Sequence, residues 1–432
     1  MTHTPLTIEL TPCRTAISRE GGTLDVLIRV QAPALPPARR DRPPLHLALV
    51  VDRSGSMAGQ PLREALRCAE NIITHLSPVD RAALVVYDTD VRTLVPLTAV
   101  VDPAPFVRAL RSVTDGGSTA LHAGWLEGAN QLAPQTGTAS LSRVLLLSDG
   151  QANVGETDVT KIADQCRALA GAGVTTTTIG LGRNFNEDLM VAMARHGGGQ
   201  HYYGQTAADL EDAFREEFDL VRALYARNLT ASLHPGPGVV VEITSVPGVL
   251  ANAPVPLSDV AYGAEVWLLA RLHYAAKPDG NHTLLAVGVK GQRIDGGPFE
   301  TRSSLLELPT MPELTLKTLP TDDLVTRRKA EVETANLYDE VRSALRSGDR
   351  TEAKRKLEQA KSTAQTFDWM ERSVDAMETL IDTDAEMAVK EALFQAEKAR
   401  RRQAPIHESA VAAPGEDTPT YLRRKTESGK RE

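Results

Sequence analysis

LHLALVVDRSGSM, residues 45–57, decides the fold. Its first seven residues are apolar apart from His46. The run is far too short to cross a bilayer, and its Val and Leu suit a parallel strand buried on both faces. It stops at Asp52. Asp52-Arg53-Ser54-Gly55-Ser56 then sets a carboxylate and two hydroxyls in a Gly-containing turn at the C-terminal end of that strand, the edge where open α/β sheets bind ligands. Three hard oxygen donors in one turn point to a cation site.

Downstream, strands alternate with amphipathic helices. Apolar residues at helical spacing predict a helix over residues 61–76. Residues 81–87 read as a strand and 91–97 as its hairpin partner, with Asp88 and Asp90 as turn residues between them. A short helix near 105–111 leads to TDGGSTAL, residues 114–121, a Gly-rich loop opening a helix that runs to about residue 132. Residues 142–147 form a second buried strand, which also ends in an acid-containing turn, Ser148-Asp149-Gly150. A helix at 157–171, a strand at 174–180, a helix at 186–195, a strand at 200–203 and a helix at 207–225 complete the series. This alternation predicts an α/β domain over residues 45–226, a doubly wound, mostly parallel sheet with helices on both faces.

The flanks have a different texture. Residues 5–11 and 23–31 alternate apolar and polar around a Gly21-Gly22 turn, and 32–44 is a Pro-rich connector. After residue 227 the chain returns to short β runs at 228–234, 239–246, 264–274, 282–289 and 299–308. Two orphan strands cannot bury a core alone. Residues 1–44 are therefore expected to complete a β-sandwich with residues 227–319, into which the α/β domain is inserted. Residues 320–402 read as helical: a hairpin of 325–346 and 350–365, opened by an Asp322-Asp323 N-cap, then a third helix over 374–402. The remainder, 403–432, has the composition of a disordered tail. Basic residues before Thr426, with Thr418 and Thr420 nearby, make these threonines candidate phosphorylation sites for a phosphothreonine reader.

Composition excludes several classes. A formal charge of -8 over 432 residues leaves no basic excess for nucleic acid. The N-terminus lacks a charged n-region and an apolar h-region, and no run is long enough to span a membrane, so a cytoplasmic protein is expected. Cys13, Cys68 and Cys166 are widely spaced and read as small buried hydrophobes. A haloacid-dehalogenase-type phosphatase needs a second Asp where Ser54 stands, and there is no G-x-S-x-G elbow, P-loop or G-x-G-x-x-G fingerprint. No catalytic residue is assigned; a metal-dependent hydrolase is the weakest alternative.

Asp52, Ser54 and Ser56 in D-x-S-x-S, followed by Thr119 in the Gly-rich loop and Asp149 after the second buried strand, closely resemble the metal-ion-dependent adhesion site of the von Willebrand factor A domain. The resemblance spans residues 45–225, including GGSTAL at 116–121. It implies that Ser54, Ser56 and Thr119 supply hydroxyl ligands to Mg²⁺, with Ca²⁺ or Mn²⁺ as alternatives, while Asp52 and Asp149 act largely through water. A position left open on the ion would accept an Asp or Glu carboxylate from a protein partner. Flanking Arg53, His122, His196 and His201 receive no ligand role. The overall layout resembles bacterial proteins similar to inter-alpha-trypsin inhibitor heavy chains and calcium-activated chloride channel-like proteins. Cytosolic proteins with such domains also suggest an adaptor for a MoxR-type ATPase, or for a kinase and forkhead-associated signalling system.

Overall fold

The computed structural model describes residues 6–34, 43–135, 140–149, 152–181, 186–204, 223–246, 253–294, 297–364, 368–400 and 403–405. Most of the helix expected at 207–225 and the tail threonines 418, 420 and 426 lie outside the described residues.

The chain opens with β1 (Thr7–Pro12), β2 (Ile17–Ser18) and β3 (Gly22–Gln31). It then forms a sheet of β4 (Leu45–Asp52), β5 (Arg81–Tyr87), β6 (Val91–Ala99), β7 (Leu141–Ser148), β8 (Val174–Leu181) and β9 (Gly198–Gly204). The strand order is β6-β5-β4-β7-β8-β9, parallel throughout except for β6, the hairpin partner of β5. β4 sits between β5 and β7, so the run that ends in Asp52 is buried along its whole length.

Alternation along β4 sorts its side chains onto two faces. Leu45, Leu47, Leu49 and Val51 pack with α1 (Gln60–His75) and α2 (Ala104–Arg111), through Leu62, Ile72, Phe106 and Leu110. Ala48 and Val50 face α3 (Leu121–Leu132), α4 (Val159–Gly171) and α5 (Glu187–His196), through Trp125, Ile162 and Met190. Caps mark two helix starts: Asp158 accepts the N–H groups of Thr160 and Lys161, and Asn186 accepts that of Leu189.

The chain continues as β10 (Leu224–Pro235), β11 (Val239–Ile243), β12 (Val255–Pro256), β13 (Val260–Ala261), β14 (Ala264–Tyr274), β15 (Asn281–Arg293), β16 (Pro298–Glu300) and β17 (Ser304–Met311). Leu224 and Tyr225, expected to end a helix, already belong to β10; the Tyr225 ring meets Tyr262 edge-on, centroids 4.9 Å apart. β3 pairs antiparallel with β14 from Gly22↔Tyr274 to Gln31↔Glu265, and β1 lies on its other side. A second sheet runs β12-β10-β15-β17-β2. Val26 and Ile28 of β3 share one hydrophobic core with Leu229, Val287 and Leu306 of that second sheet.

The outward face of β3 and β14 is covered as well. After the short α6 (Glu313–Leu316), the long α7 (Asp323–Arg346) lays Val325 and Val332 over Leu27, Trp267 and Leu269. The half-buried pattern expected for β3 thus becomes burial on both faces. The Arg328 guanidinium stacks 4.8 Å from the Trp267 ring centroid. Glu331 accepts from Arg327 at 3.2 Å and Arg328 at 2.8 Å. Asp25 beneath receives Arg271 at 2.8 Å and Lys329 at 2.9 Å.

α7 then joins α8 (Arg350–Ala364), α9 (Asp368–Thr383) and α10 (Ala385–Arg400) around an Ala-rich core that includes Tyr338, Val341, Leu357 and Ile381. The single third helix expected over 374–402 is two helices. Asp384 divides them: its carboxylate accepts the N–H of Met387, capping a new helix where the old one stops. Nor does the tail begin free of structure at 403, because Gln403–Pro405 forms β18, paired with Ala264–Val266 of β14. No helix among the described residues is long and apolar enough to cross a membrane.

Trp267 is buried under α7, so Trp267→Ala leaves a cavity and removes the stacking partner of Arg328. A loss of about 3–5 kcal/mol in urea unfolding is expected; a loss below about 1 kcal/mol would show that α7 does not depend on this contact.

Candidate metal centre

Asp52 is the last residue of β4 and has no solvent exposure. Pairing in register with β5 sets Tyr87 opposite it. The Tyr87 hydroxyl donates to Asp52 Oδ2 at 3.2 Å, the Ser148 hydroxyl from the end of β7 donates to the same oxygen at 2.6 Å, and Ser54 N–H donates to Oδ1 at 2.9 Å. Burial pushes the Asp52 carboxyl up to about 6, against the opposing hydrogen bonds from Ser148 and Ser54. A cation beside this carboxylate would favour its charged form and reverse that penalty.

The following turn is a single 3-10 turn, Gly55–Met57, with Met57 buried as its plug. It holds Ser54 Oγ and Ser56 Oγ 3.2 Å apart. Adjacent oxygens on an octahedral Mg²⁺ with bonds of about 2.1 Å lie about 3.0 Å apart, so the hydroxyl pair has the spacing of one octahedral edge. Ser54 is buried whereas Gly55 and Ser56 are exposed, leaving the turn open to solvent on one side. The donor set fits a hard divalent cation.

Backbone hydrogen bonds strap the Gly-rich loop to this turn. Gly116 N–H donates to Arg53 O at 2.8 Å, and Gly55 N–H donates to Gly117 O at 2.9 Å. Such closeness requires glycine: a Cβ on Gly116 would lie 2.1 Å from Asp88 Oδ2, and one on Gly117 2.2 Å from Thr89 Oγ1. Thr119, two residues on, is buried; its N–H donates to Asn153 Oδ1 at 2.7 Å, while its carbonyl accepts the N–H groups of Asn153 and Val154. Asp149 directly follows β7, the neighbour of β4, and is nearly buried. Its charge acts on Asp52, and its carbonyl accepts Asn186 N–H at 2.9 Å. Asp52, Ser54, Ser56, Thr119 and Asp149 therefore gather at the C-terminal edge of β4 and β7.

Arg53 turns inward. It pairs with Asp88 at 2.6 Å and donates to Thr114 O at 3.1 Å, tying three loops together. Asp88 is a turn residue, accepting Asp90 N–H at 2.8 Å, and is also the anchor of Arg53. His122 contacts Gln165 and His201 contacts Thr178 Oγ1, whereas His196 meets Arg167 at the end of α5. Four residues that hold the site were not singled out from sequence: Tyr87, Ser148, Asn153 and Asn186. Ser148 had one local signal, its place beside Asp149 at a strand end; the others depend on which strands and loops become neighbours.

The fold is an α/β sheet with helices on both faces and with hydroxyl and carboxylate side chains converging at its strand ends. The chain carries a von Willebrand factor type A domain: the family model of that description matches residues 46–216. An uncharacterised protein of Synechocystis sp. is 26% identical over 345 residues, covering 75% of this chain and 79% of that protein. Human inter-alpha-trypsin inhibitor heavy chain H3 is 30% identical over 185 residues, 40% of this chain but only 21% of the heavy chain, so the chain spans about a fifth of that relative. Among solved structures, a von Willebrand factor type A protein from Catenulispora acidiphila superposes with a TM-score of 0.69 at 17% identity, over 88% of this chain and 89% of its own. The ArnB paralog VWA2 from Sulfolobus acidocaldarius gives 0.61 at 18% identity, over 91% and 98%. At these identities the two structures establish shared fold alone.

Gly116→Ala should push Asp88 away from Arg53 and cost about 1–3 kcal/mol, the usual range for overpacking. Thermal melting beside wild type checks this, and an unchanged midpoint would show that the loops accommodate a Cβ.

Proposed function

We propose that the chain is a metal-dependent protein-interaction module. Ser54, Ser56 and Thr119 hold a divalent cation, Mg²⁺ by preference, with Asp52 and Asp149 behind them. The observation carrying this reading is the Ser54 and Ser56 hydroxyl pair, 3.2 Å apart and backed by the wholly buried Asp52. When bound, the ion supplies an electrophilic position for the carboxylate of a partner protein. The residues do the rest. Neutral hydroxyls leave the ion's charge largely uncompensated, so an incoming carboxylate gains more than it would beside a carboxylate-rich site. Tyr87 and Ser148 fix the Asp52 carboxylate, and the exposed side of the turn leaves an approach for the partner.

Two measurements test the reading. Mg²⁺ should raise the melting temperature of EDTA-treated wild type and leave Asp52→Ala unmoved; at a hundredfold excess over Kd the shift corresponds to about 2.7 kcal/mol. In affinity capture, the partner should be retained with Mg²⁺ and lost with chelator or with Asp52→Ala. Equal retention in all three samples would refute the metal dependence.

A further inference from the structure

The metal-site edge is joined to the helical region by a continuous set of contacts. Asp149 O accepts the N–H of Asn186, the N-cap of α5. The next two residues, Glu187 and Asp188, carry carboxylates that face α7. Arg346 reaches Glu187 at 2.6 Å and Asp188 at 2.5 Å, and Arg342 donates to Asp188 as well. Glu187 is 8% exposed and the Arg342 side chain 15% exposed, so this part of the cluster is weakly screened. Burial raises the Asp188 carboxyl, but hydrogen bonds from Arg342 and Arg346 outweigh it and hold it below its ordinary range.

The helix presenting these arginines is itself fixed at both ends. Its first half packs Val325 and Val332 on Trp267, and its second half places Tyr338, Val341 and Ala344 in the core of the helical region. At about 1.5 Å per residue, α7 spans about 36 Å, enough to lie on the outer sheet and still touch α5. The charges also suit both helix ends, with carboxylates in the first turn of α5 and Arg346 in the last turn of α7.

We infer that Arg342 and Arg346 are positioning residues for the metal centre: they hold the first turn of α5, whose Asn186 N–H sets the backbone of Asp149. The inference rests on the proposed role of the site. Without the arginines, Glu187 is left as a buried carboxylate with neither guanidinium, and the first turn of α5 shifts to rehydrate it. Asp149 then loses its backbone support, and the metal site loosens while the α/β core stays folded. By thermodynamic reciprocity, metal binding must tighten the contact between α5 and α7 by the same factor that the contact tightens metal binding.

The test uses the full chain and Mn²⁺ alone, titrated calorimetrically. Arg342→Gln/Arg346→Gln is expected to weaken Mn²⁺ binding by about tenfold, within the usual range for coupled sites. Arg342→Lys/Arg346→Lys, which keeps both positive charges facing Glu187 and Asp188, should recover most of that loss. Arg346→Lys, which keeps the charge but loses the fork, should weaken binding by a smaller factor and serves if the double variant does not fold. Saturating Mn²⁺ should slow amide exchange across residues 187–190 in wild type but not in the double variant. Unchanged Mn²⁺ affinity in a folded double variant overturns the positioning role and leaves the metal site standing. Absence of Mn²⁺ binding by wild type overturns both.

Discussion

A carboxylate buried at the end of a central parallel strand governs the architecture of this site. Asp52 lies where β4 emerges between β5 and β7, and burial alone would drive it toward its neutral form. Hydroxyls from both neighbouring strands and the Ser54 N–H hold it in one orientation. The turn that follows inherits that orientation. Ser54 and Ser56 are placed because Asp52 accepts from the Ser54 backbone and because Met57 plugs the turn. The Gly-rich loop is placed because its backbone is bonded to that same turn. Remove the fixed carboxylate and the oxygens lose their common reference.

Much of the α/β domain was legible from residue pattern, because its strands are near-continuous apolar runs and its helices have strong apolar periodicity. β4 and β7 could be read directly, and both end in an acid-containing turn. The site's oxygen donors were visible as residue types at those ends. What holds them was not. Tyr87 contributes only because β5 pairs in register with β4, and Asn153 contributes only because its loop folds back against Thr119. Neither fact resides in local sequence. The outward face of β3 was hidden for the same reason, since Leu27 is covered by a helix about 300 residues away in sequence. At Asp384 the signal was local but outweighed: apolar spacing continues through the break, and the Asp384 carboxylate, accepting the Met387 N–H, caps α10 where α9 stops.

α7 gives the molecule a second organising element. One face of this helix covers the β3 and β14 sheet, another enters the helical core, and its last turns reach α5. Its charged residues differ in their surroundings accordingly. Arg327, Arg328 and Glu331 are buried together over the sheet, whereas Arg342 and Arg346 meet carboxylates at a partly exposed junction. The former set ties the helix down; the latter set connects it to α5, whose N-cap Asn186 bonds Asp149.

Diffraction from crystals of the full chain soaked in Mn²⁺, recorded at a wavelength where manganese scatters anomalously, tests whether the Ser54 and Ser56 hydroxyls hold a divalent cation. One strong anomalous peak is expected about 2.2 Å from the hydroxyl oxygens of Ser54 and Ser56, close to Thr119. A saturating soak that leaves this position without a peak, or that places the ion away from these hydroxyls, would contradict that role.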